Sequence, residues 1–200
     1  MKLILSFVLI LTVHCLHAQH VGCKITGTLA NGTPYRFAYL YYAKENKTIR
    51  TPVVLNQFLF QVDQPSQPQV AILFLGTDSL KTYKDAIEER SEIGPKGTRL
   101  IAIEDSTMID IQDNINEGIV TGGNLNKDLN DMYLSSKSMQ YEQFFNAHPN
   151  SPIALIFLKS LIQISKIPNF SSYVDCKLYY SKLSDSLKNS KEGKKLFKKL

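Results

Sequence analysis

A change of hydrophobic period near residue 121 constrains the fold more than any other feature of this sequence. Before it, short runs rich in Val, Ile, Phe and Tyr alternate with polar residues, which is typical of half-buried strands. After it, the apolar residues recur at the spacing of an α-helix. Strands followed by helices indicate the α+β class. We therefore predict an antiparallel β-sandwich-like domain over residues 19–121 and a helical segment, folded as a small bundle, over residues 122–200.

Eight strands are predicted in the first part, because turn-forming clusters separate the apolar runs at intervals of roughly 8–12 residues. The predicted strands cover residues 22–29, 35–42, 48–55, 57–62, 69–75, 99–103, 108–112 and 119–121. Residues 76–97 interrupt them with a charged stretch, which we expect to be a long exposed excursion.

The second part is expected to contain four helices. The first follows the turn at residues 121–124. The second covers residues 153–164, because Ser151 can cap it and Pro152 suits the first helical position. Its residues are apolar nearly all round, so we expect it to be the central buried helix. The others are expected from residue 170 to about residue 187, and from 191 to 200 with an interruption at Gly193.

Residues 1–18 have the features of a secretory signal peptide. Lys2 precedes an apolar run over residues 3–13, which is too short to span a bilayer because a spanning helix needs about 20 residues. Cys15 could carry the lipid of a bacterial lipoprotein, but a small residue normally precedes such a cysteine and here His14 does. We therefore predict an exported protein of the periplasm or cell envelope, without a lipid anchor at Cys15.

Export leaves two cysteines in the mature chain, Cys23 and Cys176. An oxidising compartment permits a disulfide between them, or a redox role. However, Cys23 alternates with Ile25 on the apolar face of a predicted strand, and Cys176 shares a helical stripe with Tyr180. Buried cysteine is common, so two inert core thiols are favoured, with the disulfide or redox pair as the alternative.

The sequence offers no recognisable catalytic or metal-binding motif. It contains no G-x-S-x-G elbow, no P-loop and no C-x-x-C, and its histidines and cysteines have no zinc spacing. An apparent calcium loop opening at Asp113 fails because its third position is Ile115, which has no side-chain oxygen. His148, before Pro149, is expected to be a solvated helix cap. We expect no cofactor and no metal, and we favour a protein that is not an enzyme.

The net charge of +5 is concentrated at the C-terminal end. Residues 181–200 contain seven lysines against two acids, a local charge of +5. Lysines in the last turns of a helix oppose its macrodipole, so a solvated helical end is favoured. Leu196 and Phe197 beside them allow a weak contact with a membrane surface. No transmembrane span and no nucleic-acid partner are predicted.

Several short motifs resemble the domain of unknown function that precedes thioredoxin in envelope thiol–disulfide interchange proteins of Bacteroidota. They are Ile25-Thr-Gly27, Asn56-Gln-Phe58-Leu-Phe60, Val120-Thr-Gly122, His148-Pro-Asn-Ser151 and Leu183-Ser-Asp-Ser-Leu187. The sequence departs from the family at Gln57, where a turn glycine is expected. It also stops at Leu200, where the thioredoxin domain with its C-x-x-C would begin.

The resemblance implies a function without transferring the family's chemistry, which the thioredoxin domain carries. We expect an exported, non-catalytic binding or structural module of the cell envelope, a stand-alone relative of that N-terminal domain. Its partner would be an envelope protein or a thioredoxin-like protein. Two alternatives stay open: an accessory component of thiol–disulfide exchange that uses Cys23 and Cys176, or a truncated thiol–disulfide interchange protein.

Overall fold

The structure is a computed structural model that describes residues 22–77, 97–112, 114–167 and 174–200. The predicted signal peptide and most of the predicted excursion lie outside these ranges. The strands are β1 (Cys23–Leu29), β2 (Phe37–Tyr42), β3 (Lys47–Pro52), β4 (Gln57–Val62), β5 (Val70–Gly76), β6 (Thr98–Ala102), β7 (Ser106–Ile111) and β8 (Ile119–Thr121). All eight predicted strands are confirmed, although their ends differ from the prediction by up to three residues.

The strands form two four-stranded sheets that face each other as a sandwich. Their orders are β4-β1-β7-β8 and β3-β2-β5-β6. Ile25 and Ile109 from the first sheet and Leu40 and Leu73 from the second share one buried core. Every pairing is antiparallel except that of β1 with β7. The α+β, sandwich-like prediction is confirmed. The parallel pair was not foreseen, because alternation reports which face is buried rather than strand direction.

The turn between β3 and β4 ends directly before Gln57, where the resemblance led us to expect a glycine. Both central residues of the turn, Leu55 and Asn56, have left-handed backbone angles, with φ of +50° and +60°. This is the arrangement of a type I′ hairpin turn, and a bridge between Val54 and Gln57 closes it. The left-handed positions therefore precede Gln57, and Leu55 occupies one of them despite its side chain.

Six α-helices follow in the described residues, with one 3₁₀ turn (Ile115–Glu117) before β8. They are α1 (Asn124–Ser138), α2 (Tyr141–Ala147), α3 (Pro152–Ile164), α4 (Cys176–Lys182), α5 (Asp185–Asn189) and α6 (Lys191–Phe197). The prediction for α3 is confirmed: the Ser151 hydroxyl accepts from the Ile153 amide at 3.2 Å, and Leu158 and Leu161 are fully buried. None of the described helices is long and apolar enough to span a membrane.

Two helical predictions are wrong, and α2 was not predicted. The helix expected over residues 170–187 is broken, because Leu183 is extended and the Ser184 side chain caps a new helix at the Leu187 amide. Gly193 does not interrupt the last helix but lies buried within it. A β-carbon at Gly193 would be 2.0 Å from the Leu187 carbonyl oxygen, so the glycine lets α6 pack closely against α5.

Helix α1 lies across the edges of both sheets and joins the sandwich to the helices. It contacts β6, an outer strand of one sheet, and β8, an outer strand of the other. Leu129 and Met132 of α1 are buried in a helical core. That core also includes Ala102 of β6, so the helices and the sandwich share buried residues.

Candidate functional site

The two cysteines singled out by the sequence are free thiols in two different cores. Cys23 lies at the start of β1, is 1% exposed and belongs to the core between the sheets. Cys176 begins α4, is partly buried and packs against the helical core. The core location expected for Cys23 is confirmed. The structure shows no disulfide between the two residues.

The surroundings of both cysteines disfavour the thiolate. Burial raises the pKa of Cys23, and the nearby carboxylates of Asp105 and Glu104 raise it further. Burial also raises the pKa of Cys176, and a hydrogen bond with Ser165 only partly opposes this. Because the thiolate is the nucleophile in disulfide exchange, neither site is activated for that chemistry.

A cavity lies where α1 crosses the sheet edges. Its volume is about 610 Å³, within the range of roughly 300–1,000 Å³ that is typical of small-molecule sites. It is lined by Arg99 of β6, Asn116 and Glu117 of the 3₁₀ turn, Gly118, Ile119 of β8, and Asn130, Tyr133, Leu134 and Lys137 of α1. We call this cavity the α1 pocket.

The α1 pocket exists because side chains of α1 bind the open edges of the two sheets. The Asn126 side-chain oxygen accepts from the Ala102 amide at 2.8 Å, and the Tyr133 hydroxyl accepts from the Leu100 amide at 2.9 Å. The Asn130 amide group donates to the Val120 carbonyl of β8 at 2.6 Å. These three side chains are spaced at i, i+4 and i+7, so they share one helix face.

A buried polar network fixes the N-terminus of α1. The Glu104 carboxylate accepts from the backbone amides of Leu125 and Asn126 at 3.2 and 3.0 Å, although it is distant in sequence. It therefore serves as the cap that Gly123 cannot supply. A β-carbon at Gly123 would be 2.0 Å from the Glu104 side chain, so only glycine permits this approach. The network holds α1, and with it the pocket wall, in one position.

The guanidinium of Arg99 is the most unusual group in the α1 pocket. Arg99 is only 5% exposed. It donates to the Asn116 carbonyl and, at 2.7 Å, to the Asn130 side-chain oxygen. Its Nε has no hydrogen-bond partner, and no described carboxylate forms an ion pair with it. Burial lowers the pKa of Arg99, but arginine still keeps its charge.

His148 forms a second polar cluster, and its predicted solvation is wrong. It ends α2, but its ring lies between two carboxylates of α1, at 3.0 Å from Asp128 and 3.1 Å from Asp131. The ring also stacks on Phe144 with centroids 4.7 Å apart. No hydroxyl or thiol is among these contacts, so the cluster's evident role is to hold α2 against α1.

Sequence reasoning missed the residues of the α1 pocket and named only the two cysteines. One signal was present: Asn126, Asn130 and Tyr133 place hydrogen-bonding groups at helical spacing beside an apolar stripe. Arg99 gave no such signal, because it lies in a short strand far from α1 in sequence.

Within the described residues, no group of three or more His, Cys, Asp or Glu side chains is placed to hold a metal ion. No protein-family model, curated protein or solved structure matches the chain. The resemblance to the thioredoxin-associated domain therefore stays a prediction, and the function must be argued from the geometry.

Proposed function

We propose that this protein is an exported, non-catalytic binding module of the cell envelope that acts through the α1 pocket rather than through its thiols. One observation carries the proposal: the cavity is lined by a buried cation, Arg99, which donates only to two neutral oxygens and has no described counter-ion. Burying a cation without an opposite charge costs free energy, which the Tyr133 ring offsets only in part, and a bound anion would recover more of that cost.

The walls of the pocket are fixed by contacts between α1 and the two sheet edges. Asn130 accepts from Arg99 and donates to the Val120 carbonyl of β8. The Tyr133 ring lies against Arg99, and its hydroxyl accepts from the Leu100 amide of β6. A preorganised site of this kind binds with little cost of reordering. The fixed walls therefore favour a binding role in addition to the joining of the helices to the sandwich.

The experiment that tests the non-catalytic part is a turnover assay with the purified protein and a reducible disulfide substrate. Cys23→Ser and Cys176→Ser serve as matched variants. We expect no turnover with any of the three proteins. Turnover that Cys176→Ser abolishes would contradict the proposal.

Thiol exchange is the second candidate, and one observation favours it. Cys176 is partly exposed, lies in the first turn of α4 and has a hydrogen bond with Ser165 that lowers its pKa against the effect of burial. It would act through a mixed disulfide with a thioredoxin-like protein. Trapping such a disulfide through Cys176 in cells would favour this candidate.

Export is tested separately, by fusing residues 1–18 to a reporter enzyme that is active only outside the cytoplasm. We expect activity from this fusion, and none from a matched fusion in which Leu9→Asp interrupts the apolar run. Activity from neither fusion would contradict export.

A further inference from the structure

We infer that the α1 pocket binds a small organic monocarboxylate with a short apolar chain, and that Arg99 holds its carboxylate. This names the ligand class for the proposed binding function and rests on that function.

The charge of the ligand follows from the donors that Arg99 has left. A guanidinium has five N–H groups, and the two hydrogen bonds of Arg99 use two of them. Both acceptors, the Asn116 carbonyl and the Asn130 side-chain oxygen, are neutral. A carboxylate accepts from guanidinium N–H groups and neutralises the buried charge, which a neutral acceptor cannot do.

The number of negative charges on the ligand follows from the charged residues that line the pocket. Lys137 and Glu117 also line the cavity, so its lining has two cations and one anion, a formal charge of +1. A single carboxylate balances this lining. Two carboxylates would leave the lining and ligand together with a formal charge of −1, so a ligand with one negative charge is favoured.

The apolar part follows from two side chains beside the polar ones. Ile119 of β8 and Leu134 of α1 line the cavity, and each is 65% exposed. The ring of Tyr133 lies against Arg99 and contributes further apolar surface. A short alkyl chain would cover these groups and gain hydrophobic free energy in proportion to the area buried.

The experiment is isothermal titration of the full chain with octanoate and with two probes of the same chain length, octanamide and octylamine. We expect saturable binding of octanoate, and affinity at least about tenfold weaker for octanamide, because the amide cannot neutralise Arg99. Octylamine should not bind. Arg99→Gln should weaken octanoate binding to the level of octanamide, provided its circular dichroism shows that it is folded.

An exposed variant keeps the test independent of folding. Lys137→Glu reverses a charge on the pocket rim and should weaken octanoate binding by about tenfold. Lys127→Glu makes the same charge change on an exposed part of α1 outside the pocket and should leave the affinity within about twofold. Equal affinities for octanoate and octanamide would overturn this inference but leave the binding function standing. Binding of neither probe would overturn both the inference and the α1 pocket as the binding site.

Discussion

The guanidinium carbon of Arg99 lies 3.7 Å from the centre of the Tyr133 ring, while the Tyr133 hydroxyl accepts a hydrogen bond from the Leu100 amide at 2.9 Å. One side chain of α1 thus does two things. Its ring stabilises a buried cation, and its hydroxyl satisfies an edge amide of β6. The candidate site and the attachment of the helices to the sandwich therefore depend on the same residue.

Removing only the hydroxyl separates these two roles. Tyr133→Phe keeps the ring near Arg99 but leaves the Leu100 amide without its partner. We expect the free energy of unfolding to fall by about 1–2 kcal/mol in urea denaturation. Tyr180→Phe is the matched control, because the Tyr180 hydroxyl makes only a 3.5 Å contact with the Lys188 carbonyl. This substitution should lower the free energy of unfolding by less than Tyr133→Phe does. Equal losses from the two substitutions would contradict the role of Tyr133.

Asn126 should be the most sensitive polar position. It is fully buried and bonds both backbone groups of Ala102 as well as Thr107. Asn126→Leu would leave several buried groups unsatisfied, so we expect a loss of at least about 3 kcal/mol in the free energy of unfolding. Asn124→Leu, at an exposed position on the same helix, should change it by less than about 1 kcal/mol. A loss below 1 kcal/mol for Asn126→Leu would show that the network does not hold α1.

The hairpin turn between β3 and β4 offers a stabilising substitution. Leu55 is 92% exposed and has φ of +50°, a conformation that costs a bulky L-residue roughly 1–2 kcal/mol. Leu55→Asn should raise the melting temperature, because asparagine tolerates this region and completes an Asn-Asn type I′ turn. Val54→Asn, at an exposed neighbour without positive φ, should give no increase. An unchanged melting temperature for Leu55→Asn would argue against the strained turn.

Stability at high pH should depend on Tyr42. Burial, followed by the nearby Cys23 and Glu45, raises the pKa of Tyr42 from 10.0 to about 12. The unfolded chain therefore loses this proton at lower pH than the folded protein, so the contribution of Tyr42 to stability is present below pH 10 and is lost as the pH rises towards 12. Denaturation in urea across this window should show a steep fall for the wild type and a shallower one for Tyr42→Phe. Parallel curves would contradict the raised pKa.

The parts of this fold that sequence reasoning predicted are those that local periodicity determines. Apolar runs rich in Val, Ile, Phe and Tyr between turn-forming clusters predicted every strand, and Ser151 and Pro152 predicted the start of α3. The break at Leu183 was missed because apolar residues continue at helical spacing through it. That spacing predicted one long helix, although Ser184 can cap the start of a second one. The α1 pocket could not be predicted, since tertiary packing brings Arg99 of β6 to Asn130 and Tyr133 of α1 and no local pattern encodes that encounter.

The measurement that tests the central claim most directly is mass spectrometry of the thiols in the protein purified from its native host. The native protein is alkylated with iodoacetamide and then unfolded and labelled with a second reagent. We expect both cysteines to be reduced, with Cys23 alkylated only after unfolding and Cys176 alkylated more slowly than a free thiol. A mixed disulfide of either residue with a thioredoxin-like protein would contradict a module that acts by binding alone, and a Cys23–Cys176 disulfide would contradict the two free thiols of the structure.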